Sequence, residues 1–176
     1  MDLCLVGSEM CIRDRGLPVL WMALDWSLDD LAFLKAEIGD PAWQAEWELF
    51  AILIAVDAWL PHLRGQAAFL LQADATAALF SAARLAGRTP AMNAIAVEIA
   101  IRLESAEVTL SPEHLRGALN FECDALSRLA QGAAVPERLQ DVQRSWPKPR
   151  QQQFFWAACH RTVSYTHLTL PTMVQV

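Results

Sequence analysis

Several things this chain lacks narrow what it can be. Glycine is sparse, seven in 176 residues, and no glycine-rich phosphate loop is present. The longest apolar run, Leu49 to Val56, is far too short to span a bilayer. Asp2 stands where a secretory signal would carry its basic n-region. Basic residues are outnumbered 14 to 20. That acidic balance argues against a free-standing nucleic-acid binder, which is usually basic. Internal repeats are absent, so repeat architectures are excluded. The length is that of one soluble domain.

Cysteine and tyrosine are scarcer still once the ends are read. "LVGSEMCIRDR" (Leu5 to Arg15) resembles a translated transposon-type sequencing adaptor, and "VSYTHLTLPT" (Val163 to Thr172) resembles the same adaptor read from the opposite strand. "MCIRD" can be written ATG TGT ATA AGA GAC. Its reverse complement contains TCT TAT ACA CA, which encodes Ser164, Tyr165, Thr166 and the start of a His167 codon. Residues 1–15 and 163–176 are therefore read as adaptor-derived tails and set aside. Cys4, Cys11 and the only tyrosine, Tyr165, go with them. Cys123 and Cys159 remain, too few for a disulfide framework or a cysteine-rich zinc site. The tails also hold Asp2, Glu9, Asp14, Arg13 and Arg15; without them 17 acids face 12 bases, a net charge of −5.

Between the tails, strands and helices alternate. "LPVLWMAL" after Gly16 reads as a short buried strand. Ser27 caps a helix with Leu28, Leu31 and Leu34 at helical spacing, ended by Gly39. Asp40-Pro41 opens the next helix, closed by Pro61 and Gly65. Trp43, Trp47, Phe50, Ile54 and Ala58 form one stripe of it, and its other sides are apolar too. Such a helix is expected between a sheet and a second helix. "QAAFLLQAD" reads as a central strand that ends at Asp74 and passes into an alanine-rich helix, 75–86, stopped by Gly87. Thr89-Pro90 starts another helix with the face Met92, Ile95, Ile99 and Leu103, and with Glu98–Arg102 as an exposed i,i+4 pair. "AEVTL" is a third strand candidate, a loop carrying His114 follows, and Asn120 caps a helix to about Ala130. Residues 133–162 read as a polar, proline-broken extension, with Phe154, Phe155 and Trp156 as a packing patch. The alternation predicts an α/β layer fold with parallel pairing.

Three acids sit where an acid is expensive. Glu48 precedes the apolar run, Asp74 ends an apolar strand, and Asp124 lies early in the helix after His114. Ligands gather at the carboxyl ends of strands in open α/β sheets, and Asp74 is at one. Converged carboxylates persist when protonated or when a cation is bound, and all-oxygen sites favour Mg²⁺ or Mn²⁺. Each acid also has an ordinary reading. Glu46 could be the inward acid in place of Glu48, Asp74 an ordinary helix cap, and His114 a plain loop histidine. Asp57 and Asp141 read as solvated, and Trp43, Trp47 and Trp59 as core.

"WELFAILIA", "LLQADATAAL" and "EHLRGALNFECDALSR" together resemble a ribonuclease H domain of the retroelement type. The order is Glu-Leu-x-Ala on a helix, Asp-x-Thr-Ala ending a strand, then His…Gly…Asn…Asp-x-Leu-Ser-Arg. The resemblance covers about Leu17 to Leu129, and its last motif is the most specific; Ala75 departs from a usual polar residue. The insert after Gly87 resembles the reverse-transcriptase-linked domains of tyrosine-recombinase or similar retrotransposons. The resemblance implies a three-layer fold, a central mixed sheet flanked by helices, over residues 16–132. It implies Glu48, Asp74 and Asp124 as Mg²⁺ or Mn²⁺ ligands and His114 as a mobile histidine assisting proton transfer or product release. It implies two-metal cleavage of the RNA strand of an RNA–DNA hybrid, a reverse-transcriptase domain as neighbour in a polyprotein, and an intracellular location in cytoplasm or nucleus.

The family's sheet begins with a hairpin whose first strand carries a leading catalytic Asp. With residues 1–15 set aside, that hairpin is expected to be missing and the chain to be an inactive, truncated domain. Two other readings stand beside this one: a non-catalytic connector within a reverse-transcriptase polyprotein, and a plain α/β interaction domain.

Overall fold

A computed structural model describes residues 2–6, 9–14, 17–23, 26–34, 40–116, 119–129 and 132–146. Six strands form one mixed sheet: β1 (Asp2–Val6), β2 (Glu9–Asp14), β3 (Leu17–Ala23), β4 (Ala68–Ala73), β5 (Thr109–His114) and β6 (Gln143–Arg144). Their spatial order is β5-β4-β1-β2-β3-β6. β1, β2 and β3 form an antiparallel meander. β4 runs parallel to β1, β5 parallel to β4, and β6 parallel to β3.

This corrects the expectation of a sheet without its first hairpin. β1 and β2 stand in the middle of the sheet, between β4 and β3. "DLCLV" and "EMCIRD" are rich in apolar, β-prone residues. Such residues pair with an open ladder whatever the origin of their codons, and β4 and β3 would otherwise each leave a row of backbone donors and acceptors unpaired. The α/β layering itself is as expected.

Among the described residues there are five α-helices: α1 (Leu28–Leu34), α2 (Gln44–Leu63), α3 (Thr76–Arg84), α4 (Pro90–Ala106) and α5 (Phe121–Ser127). β3 shows how the layers arise. Leu20 and Met22 point into one core, and Trp21 between them points into another, as the two-residue side-chain period requires. The main core joins α2, α3 and α4 to β3 and β4. α2 is buried nearly all round, with Leu49, Phe50, Leu53, Ile54, Val56 and Trp59 among its enclosed residues. α4 packs on it through Met92, Ile95, Ile99 and Leu103, the face read from the periodicity. Trp47 and Trp59 are buried and Trp43 packs on the same core. The second core gathers Trp21, Cys123, Leu126 and Leu139 on the other face.

Local signals explain most boundaries. Ser27 and Asp30 close a reciprocal cap on α1: the Asp30 carboxylate accepts from Ser27 N at 2.7 Å, and Ser27 Oγ accepts from Asp30 N at 3.3 Å. Gly39, expected to end α1, lies outside the described residues. Asp40 accepts from Ala42 N at 2.9 Å and starts a 3-10 turn, Pro41–Trp43, that leads into α2. Pro61 lies inside the last turn of α2, which continues to Leu63. Thr89 Oγ1 accepts from Met92 N at 3.1 Å, with Pro90 at the first position of α4.

Four local expectations are revised. α3 ends at Arg84, because Leu85 turns left-handed (φ 52°). Gly87 is needed for close approach: a Cβ there would lie 2.3 Å from the backbone carbonyl carbon of Met92. The third strand is Thr109–His114, because α4 continues to Ala106 and closes through left-handed Glu107 (φ 56°). Pro112 is tolerated in it because β5 is an edge strand. The Glu98–Arg102 pair is not on an exposed side. Glu98 is buried, and Arg102 donates to Glu98 at 2.6 Å and through Nε to Asp57 at 2.7 Å, tying α4 to α2. Asp57 is therefore ion-paired, whereas Asp141 is exposed as expected.

Within the segment read as a polar extension, a second 3-10 turn (Glu137–Leu139) and β6 pack onto the domain. The patch Phe154, Phe155 and Trp156 lies outside the described residues.

Candidate functional site

The carboxyl end of β4 is the natural place to look for a site. Asp74 directly follows Ala73, is half-buried, and precedes α3. Two neighbours approach it. β5 ends at His114, the register partner of Ala73, and Leu115 N donates to Ala73 O at 2.9 Å. His114 is thus the exposed last residue of a strand, where a loop position was expected. α2 contributes Glu48.

Glu48 is half-buried on the first turns of α2. Burial pushes its carboxyl above the ordinary range, the hydrogen bond from Gln44 opposes this, and the negative charge of Asp74 adds to it. Gln44 Nε2 donates to Glu48 Oε1 at 2.6 Å. Asp74 therefore lies near enough for its charge to act on Glu48. Glu46, the rival inward acid, is more buried, 3 % exposed, but is occupied elsewhere. It accepts from Thr89 Oγ1 at 2.9 Å and so supports the cap of α4. Two residues along a helix turn through about 200°, so the two glutamates serve different neighbours.

Asp124 lies in the first turn of α5. Its carboxylate accepts from Arg128 Nη2 at 2.9 Å, one helical turn on, and both side chains are largely solvated. Asn120 occupies the cap position but makes no side-chain capping bond; it is buried, and its backbone oxygen accepts from Asp124 N at 3.0 Å.

The structure thus puts Glu48 within reach of the charge of Asp74, sets His114 beside the strand end that precedes Asp74, and gives Asp124 an arginine partner. Among the described residues, no three His, Cys, Asp or Glu side chains gather into a group able to hold a metal ion. β1 bears on the same point. Its register places Leu5 opposite Ala73, so Val6 is the next residue, toward the level of Asp74. Asp2 pairs with Leu70 at the other end, about 13 Å from Val6 at strand rise. Hard divalent cations take oxygen ligands in numbers that Glu48 and Asp74 alone do not supply, so no hydrolytic step is derived from them.

Sequence reasoning passed over Glu122, the neighbour of Asp124. It is 1 % exposed and pairs with Arg13 of β2 and with Arg138 Nη1 at 2.9 Å. Nothing local marks it, since both partners are distant in sequence. Compared with known proteins, the chain matches no family model, no curated protein and no solved structure.

Proposed function

We propose that this chain is a ribonuclease H-like domain of a retroelement reverse-transcriptase polyprotein that has no hybrid-cleaving activity of its own. The observation that carries the reading is that Asp74, at the carboxyl end of β4, lies near enough for its charge to act on Glu48 of α2. These residues head two of the motifs on which the family resemblance rests. The sheet is consistent with it: β1 and β2 form an antiparallel hairpin ahead of β3, the opening that the resemblance implies. The ordered spacing His114, Asn120, Asp124 supports it from sequence.

Inactivity follows from two features. β1 offers Leu5 and Val6 where the family's leading carboxylate would be needed. Asp124 is ion-paired with Arg128, one helical turn on. The connector reading draws on the same two features, since a connector in a polyprotein needs the fold and not the ions.

Thermal unfolding with and without Mn²⁺, run beside a hybrid-cleavage assay, tests the proposal. A ligand that binds only the folded state stabilises it in proportion to the logarithm of its concentration. Millimolar Mn²⁺ should raise the Tm of the unaltered chain, leave Asp74→Asn unmoved, and support no cleavage. A Tm indifferent to Mn²⁺ in both proteins would favour the connector or a plain interaction domain. Robust Mn²⁺-dependent cutting of a hybrid would overturn the claim of inactivity.

A further inference from the structure

The second core is assembled from distant parts of the chain, and its closing piece is the segment 136–146. α5 has seven residues, far below the length at which a helix persists in water without tertiary support. Cys123 and Leu126 anchor it against Trp21, and Leu139, fully buried, closes the cluster from the 3-10 turn.

That segment is fastened both to α5 and to β3. Arg138 Nη1 lies 2.9 Å from Glu122 Oε1, a carboxylate almost wholly withdrawn from water. Trp21 Nε1 donates to Val142 O at 3.0 Å, and Ser145 N donates to Trp21 O at 2.7 Å, so one tryptophan of β3 holds the strap by backbone and by ring. The Arg144 guanidinium sits 5.0 Å from the Trp21 ring centroid and 3.9 Å from that of Trp146. A buried carboxylate is costly unless paired. Arg138 is half exposed, and lifting the strap would take one of the two cations from Glu122.

We propose that residues 136–146 form a latch on α5, which opens and closes as one unit with that helix while the main core of α2 and α4 stays folded. Separate cooperative units of this kind are a general property of folded chains. The latch stands on contacts alone. Its bearing on Asp124, which rides on α5, rests on the function proposed above.

Native-state hydrogen exchange on the full chain tests it. Arg138→Ala removes one of the two charges facing Glu122 and leaves Arg13 in place. Trp21→Phe keeps an aromatic ring in the core while deleting the indole donor to Val142 and trimming the ring that faces Arg144, so it weakens the strap from a second side. In both, protection of the amides of residues 124–127 should fall by about tenfold or more, with α2 and α4 amides unchanged. Arg138→Lys, which keeps the charge, should restore most of the loss. Unaltered protection in α5, or an equal loss in α2 and α4, would overturn the latch. Mn²⁺ stabilisation read on Arg138→Ala separates the two claims: undiminished binding with an exposed α5 keeps the latch and removes Asp124 from any metal site.

Discussion

At the scale of single residues, the charges that matter are set by their surroundings. Glu48 is held above the ordinary carboxylate range mainly by burial, with Asp74 adding to the effect. Between its unfolded and folded values the native state keeps a proton that the unfolded chain has released. Stability is therefore lost as pH rises through that window, and no penalty exists below it. Glu48→Gln should raise Tm at neutral pH, and the gain should vanish once the pH drops below the usual carboxylate range. A Tm difference independent of pH would contradict this. Asp124 is the contrasting case. Its pair with Arg128 is solvated, so Asp124→Asn should cost about 0–1 kcal/mol by denaturant unfolding. A larger loss would mean that Asp124 has a structural role beyond that ion pair.

Elements are decided by how local signals survive packing. The cap and proline at Thr89-Pro90 start α4 as their chemistry requires. Gly87 read equally well as a helix stop, yet its role is to let the chain pass against the first turn of α4. Gly87→Ala should therefore destabilise by about 1–3 kcal/mol, the range for forcing atoms into a filled space, and a neutral result in chemical denaturation would refute the contact. Glu107 closes α4 in a left-handed conformation that glycine adopts freely. Glu107→Gly should stabilise by about 0.5–1 kcal/mol, measurable as a rise in the denaturation midpoint. β5 shows the reverse: its start was misread because the helix before it runs on to Ala106.

For the whole molecule, the largest revision concerns residues 2–14. Read as foreign, they were expected to contribute nothing. Placed in the sheet, they join the strand that ends at Asp74 to the meander that carries Trp21. Net stabilities of domains are about 5–15 kcal/mol, and removing two interior strands takes a comparable share of burial and pairing. Deleting residues 1–15 should abolish the cooperative thermal transition. Retention of a sharp transition with unchanged Tm would show that the fold does without them.

The sequence by itself determined that strands and helices alternate between Leu17 and Ser127, which helix is enclosed on all sides, and that Asp74 lies at a strand end. Periodicity, caps and prolines act within a few residues, so they are written locally. Tertiary structure alone decided who pairs with whom. Arg13 meets Glu122 across 109 positions of chain, and Arg102 meets Asp57 across 45. It also decided that the adaptor-like stretch joins the sheet and that β6 closes against β3. The physical reason is the same throughout: a buried charge or an open strand edge takes whatever complementary group the fold brings within reach, and sequence distance does not enter that energy.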